Sequence, residues 1–159
     1  MTAPASKTPL TPSEQSTAQA FVNGKTVPEI AAAAAISPHT VRGRLYSMRR
    51  KLHCPDRCAP HVVIHRTLSA AVATAPRPSS PAPKLGEQHL SLLKAITENS
   101  TPFQIARGAG IPSGDVQAAI DELLYLTGAT DTADLVRRAY GWGLLTSEQT
   151  HAAMNGGVR

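Results

Sequence analysis

The sequence predicts an all-α fold made of two successive four-helix domains joined by a Pro-rich linker. Three observations carry this. Hydrophobic residues make up 42% of the 159, but aromatics only 4%, so a core is assembled from Ala, Leu, Ile and Val. Apolar residues recur at helical spacing, without alternating β-branched runs. The apolar frame occurs twice. Shifting the chain by 75 residues, without a gap, lays Leu10 on Leu85, Ala20 on Ala95, Ile30 on Ile105, Ile36 on Ile111, Val41 on Val116, Leu45 on Ile120 and Met48 on Leu123.

Residues 1–9 are small and polar with two prolines and are expected to be disordered. The first domain spans 10–73. Thr11 caps a first helix opened by Pro12, with Glu14 completing a capping box. It runs to about Val22, with Thr17, Ala18, Phe21 and Val22 inward, and Asn23-Gly24 ends it. Thr26 caps a second helix from Val27 to about Ala35, with Ile30 and Ala34 inward. Its five consecutive alanines keep it thin, so the next helix approaches closely. Ile36 fills the turn. Ser37 and Pro38 start a third helix reaching about Leu52, with Val41, Leu45, Met48 and Leu52 as its buried stripe. Pro60 opens a fourth, to about Ala73.

Residues 74–84, TAPRPSSPAPK, read as a semi-rigid extended linker. The second domain spans 85–145 and ends in a helix over Asp134–Leu145. Residues 146–159 form a polar tail.

The charge is divided unequally. The chain carries net +5, but residues 1–71 alone carry +6, and residues 85–159 carry −3. The two halves therefore suit different surfaces. The basic side chains gather on the third helix: Arg42, Arg44, Arg49, Arg50 and Lys51. Two helices joined by a tight turn, the second basic, make a helix-turn-helix that suits a nucleic-acid partner. No run approaches the ~18 apolar residues of a membrane span. No secretion signal opens the chain, and two cysteines make no disulfide framework, so the cytoplasm is the expected setting. Catalysis is not expected: there is no Gly-rich phosphate loop and no Gly-x-Ser-x-Gly, the acidic residues lie on solvent faces, and His39, His89 and His151 stand alone.

One cluster has metal-ligand chemistry. Cys54, Cys58, His61 and His65 fall within twelve residues, and their types suit a structural zinc. The spacing matches no common zinc motif, and small buried cysteines with interface histidines explain the same residues. In the second domain the positions become Ala129, Ala133, Val136 and Tyr140. No cofactor is otherwise expected.

The motifs LTPSEQ, Asn23-Gly24, PEIA, ISPHTVRGRL and RRKL follow one another over about residues 10–66. In order and spacing this stretch resembles the LuxR/GerE-type DNA-binding domain. The second domain resembles it more distantly, through QIARGAGIPSGDV and TGATDTADLVRRA. The resemblance implies a transcription regulator, with the third helix in the major groove of double-stranded DNA. It places Arg42, Gly43 and Tyr46 towards bases, and Thr26, Thr40, Arg44 and Lys51 near phosphates. The helical face agrees, since positions 39, 42, 43 and 46 point away from Val41, Leu45 and Met48, which adds His39 to the interface. Arg49 and Arg50 suit backbone contacts, although the helix dipole favours cations there in any case.

The resemblance also implies a homodimer through the fourth helix. In the second copy Val136, Tyr140 and Trp142 serve either that contact or their own core. Its third helix holds Asp115, Asp121 and Glu122 and lacks Lys and Arg. Carboxylates repel phosphates, so this copy is expected to be degenerate or to bind a protein partner. The alternative function is an adaptor, or a sigma-factor-like protein acting through RNA polymerase.

Overall fold

Thr11, Ser37 and Thr101 each stand directly before a proline that opens a helix. The hydroxyl accepts an early backbone N–H, while proline loses no helical bond at that position. The computed structural model describes residues 9–55 and 57–146; among them are eight helices and no strands. In order they are α1 (Pro12–Val22), α2 (Val27–Ala34), α3 (Pro38–Lys51), α4 (Pro60–Ser69), α5 (Glu87–Glu98), α6 (Pro102–Ala109), α7 (Val116–Thr127) and α8 (Thr132–Gly141). The described residues are all-α, as expected. The expected disorder of residues 1–8 and the polar tail beyond Thr146 lie outside the described residues.

Local capping follows the sequence closely. Thr11 and Glu14 bond reciprocally, as do Thr26 and Glu29. Two inward positions differ from expectation. Ala31, not Ala34, is buried beside Ile30, and Ala32–Ala34 face solvent. The alanine run therefore thins α2 mainly where nothing packs on it. The helix ends at Ala35, which takes the left-handed conformation at φ 56, where α6 uses Gly110 at φ 71. The fourth helix stops at Ser69, four residues early, because Ala71 turns left-handed at φ 58.

Two apolar clusters form. One holds Leu10, Ala18, Ile30, Ala31, Val41, Leu45, Met48 and Val63. The other centres on α5–α8 but also takes Val22, Ile64 and Leu68 from the first half. Adjacent residues of α4 thus serve different clusters. Its most extensive packing partner is α8, and it also lies against α5. The second cluster closes only because α4 covers it.

Residues 74–84 form neither helix nor strand, and they do not hold the halves apart. The Thr74 backbone exchanges two hydrogen bonds with the Gln19 amide, at 2.8 and 2.9 Å. Further on, Trp142 donates from Nε1 to the Ser80 carbonyl at 2.8 Å. Pro76 and Pro78 lie against Gly141, where an added Cβ would come within 2.5 Å of the Pro76 oxygen.

The 75-residue shift holds for the first two helices of each half and changes at the fourth. Eight residues connect α3 to α4, and four connect α7 to α8, so Pro60 corresponds to Thr132. His61 and His65 are then matched by Ala133 and Arg137, correcting the gapless pairing with Val136 and Tyr140. Connections change length more freely than the elements they join.

Candidate nucleic-acid interface

The inward face of α3 fixes its outward one. Val41 and Met48 are fully buried and Leu45 nearly so. The opposite face leaves His39, Thr40, Arg42, Gly43, Tyr46 and Arg50 exposed on one helix. Ser37 caps this helix, and its hydroxyl also lies 3.0 Å from the Thr40 hydroxyl. An added Cβ at Gly43 would meet nothing within 4 Å, so the fold itself does not require glycine there. Tyr46 is 62% exposed, and the Arg50 guanidinium lies over its ring, 5.8 Å from the centroid.

Four expected interface residues have more particular positions. Thr26 spends its hydroxyl on the α2 cap. Arg44 is half-buried and lines a surface concavity of about 710 Å³ with Ser16, Asn23, Lys25 and Glu29. Arg49 is half-buried, and its Nε is enclosed without a hydrogen-bond partner. Lys51 turns inward, and its Nζ lies 2.7 Å from Glu14 Oε1. Glu14 is itself buried, at 6% exposure, and is not the solvent carboxylate expected. Burial works against its charge, but bonds from Lys51, Ser47 and the Thr11 backbone outweigh that and hold its carboxyl at about 2. Lys51 therefore ties α3 to α1.

Lys25 was not singled out from sequence. It is exposed, precedes the α2 cap, and shares the concavity with Arg44. The signal was present in its adjacency to Thr26.

In the cysteine–histidine cluster the two histidines bond across to the second half. His61 Nε2 lies 2.7 Å from the Asn99 carbonyl and donates to it, so in the neutral ring Nδ1 accepts from the Thr132 hydroxyl at 3.0 Å. His65 Nδ1 lies 2.9 Å from the Tyr140 hydroxyl. Both histidines thus face the second half. Burial, then the neighbouring Cys58, pushes the Cys54 thiol up to about 11. Among the described residues, no group of three or more Cys, His, Asp or Glu is arranged to hold a metal. His89 is not alone either: its Nδ1 accepts from the Gly86 N–H and its Nε2 lies 3.3 Å from Glu122.

The second half arranges α7 differently. Gln117, at the position of Arg42, donates to Asp121, at the position of Tyr46. Tyr125 is 85% exposed. Val136 is buried in the cluster that α4 completes.

Residues 8–63 match the family model described as GerE, bacterial regulatory proteins of the luxR family. The first half carries a LuxR-family domain. The match ends at Val63, inside α4 and at the residue that still faces the first cluster. In this LuxR-family domain α2 and α3 are the helix-turn-helix, and the exposed face of α3 is its outer surface. No match was found among curated proteins or among solved structures. No helix of the described residues is long and apolar enough to cross a membrane.

Proposed function

We propose that the chain is a transcription regulator that binds double-stranded DNA by placing α3 in the major groove. The observation that carries this reading is the exposed Arg42-Gly43-Tyr46-Arg50 face on a LuxR-family helix-turn-helix. Arg42 offers a bidentate donor to guanine, and Gly43 lets the backbone approach the groove closely. His39, Thr40, Arg44 and Lys25 flank that face and suit phosphates. Thr26, at the start of α2, offers a further backbone contact. Lys51 contributes less charge to the surface, because Glu14 neutralises it. The setting of this reading is the cytoplasm, where free Cys54 and Cys58 stay reduced.

The second half is read as a degenerate copy that serves as a built-in partner for α4. The α4 face expected to pair two chains is covered by α8 and α5 of the same chain. Each chain then brings one reading helix to DNA, and a homodimer would have to form through another surface. Carboxylates on α7 argue against a second groove contact there. An adaptor role remains the second reading, favoured by the exposed Phe103 and Tyr125 of the second half.

A mobility-shift titration of the full chain on random duplex, repeated across a salt series, tests this. Binding whose affinity falls steeply with salt is expected. No duplex binding at low salt would overturn the groove reading and favour the adaptor.

A further inference from the structure

Tyr46 and Arg50 are one helical turn apart and already in contact. The guanidinium stands 5.8 Å from the ring centroid, within the range of a cation–π contact. Tyr46 nevertheless stays 62% exposed, so much of the ring remains uncovered. One turn towards the N-terminus is Gly43, where an added Cβ would meet nothing within 4 Å, so no side chain packs over that position. Of the three cations ending α3, Arg49 is half-buried and Lys51 is engaged by Glu14, which leaves Arg50 as the exposed one. In α7 the matching positions are Asp121 and Tyr125, so the aromatic–cation pair belongs to α3 alone.

We propose that Tyr46 and Arg50 act as one reading unit: the open ring contacts a thymine methyl, and the stacked guanidinium is held for the adjacent backbone phosphate. The ring offers an apolar surface, which suits the only methyl displayed in the major groove. A planar guanidinium keeps its N–H edge free while its face stacks, which an ammonium does not do. Ordering the pair before binding lowers the freedom lost on binding. Arg50 is thus a positioning residue for Tyr46 as well as a phosphate contact. The inference rests on the DNA reading proposed above.

The test starts from a duplex that the full-length protein selects from a random library. Its thymines are then replaced by uracil, which lacks the methyl. The wild type is expected to lose about tenfold in affinity. Tyr46→Phe keeps that preference, and Tyr46→Ala abolishes it. Arg50→Ala shrinks the preference and lowers the salt slope by about one. Arg50→Lys shrinks the preference and leaves the slope unchanged. All four changes lie on exposed positions, and circular dichroism checks that α3 remains folded. Equal wild-type binding of both duplexes overturns the inference, as does an Arg50→Lys protein with full methyl preference. Failure to select any duplex overturns the DNA reading itself.

Discussion

Lys51 Nζ lies 2.7 Å from Glu14 Oε1, joining the last turn of α3 to the first turn of α1. The carboxylate is buried and completes the α1 capping box, so one side chain sets both a helix start and a helix position. Removing Lys51 leaves Glu14 without its cation. Lys51→Ala is expected to lower stability by about 1–3 kcal/mol, measured by urea unfolding, and to change the salt slope of duplex binding little.

The same pair predicts an acid limb. The carboxyl of Glu14 is held at about 2, against an ordinary value of 4.5. A depressed carboxyl contributes stability that is fully present above 4.5 and is lost as pH falls towards 2. Thermal melts from about pH 5 down to about pH 2 should show this loss. Glu14→Gln should flatten that limb while lowering stability at neutral pH.

His61 gives a second, higher window. Burial holds its pKa below the ordinary 6.5, more than the Asn99 bond and Asp131 offset. The unfolded chain therefore takes up the proton first, and stability falls as pH drops below 6.5 towards the lowered folded value. His61→Gln keeps a donor for the Asn99 carbonyl and should remove the loss in this window. Melts across it on both proteins, reading the loosening of α4 from α5 and α8, check the sign.

Gly43 separates fold from function. Within a helix interior, alanine is favoured over glycine by about 0.5–1 kcal/mol, and no neighbour obstructs the new methyl. Gly43→Ala should therefore raise the unfolding midpoint yet weaken duplex binding. A variant that gains stability and binds unchanged would remove glycine's groove role.

The strap over 74–84 depends on Gly141. A Cβ there would come within 2.5 Å of the Pro76 oxygen and 2.6 Å of Pro78 Cδ. Gly141→Ala should displace the strap, break the Trp142–Ser80 bond and cost about 1–3 kcal/mol. Trp142 is the chain's one tryptophan, so its fluorescence should shift to the red.

Much of the fold was legible because its signals are local. Thr11-Pro12, Ser37-Pro38 and Thr101-Pro102 mark helix starts by hydrogen bonding and by the fixed φ of proline. The stripe of Val41, Leu45 and Met48 fixed both the buried and the open face of α3. Non-local relations were not legible. Glu14 reads as a capping residue, and nothing nearby in sequence shows that Lys51 returns to it. Val63, Ile64 and Leu68 are all apolar, so their division between two clusters appears only once α8 packs on α4. Loop length moved the fourth helix by three residues against the repeat, and a gapless comparison cannot register that.

The central claim is that α3, and not α7, reads DNA. Binding of the selected duplex by full-length Arg42→Ala, beside Gln117→Ala at the matching position of α7, tests it most directly. The account predicts a loss of about tenfold to a hundredfold for Arg42→Ala and no change for Gln117→Ala. Arg42→Ala binding as tightly as wild type, or equal losses in both, would contradict it.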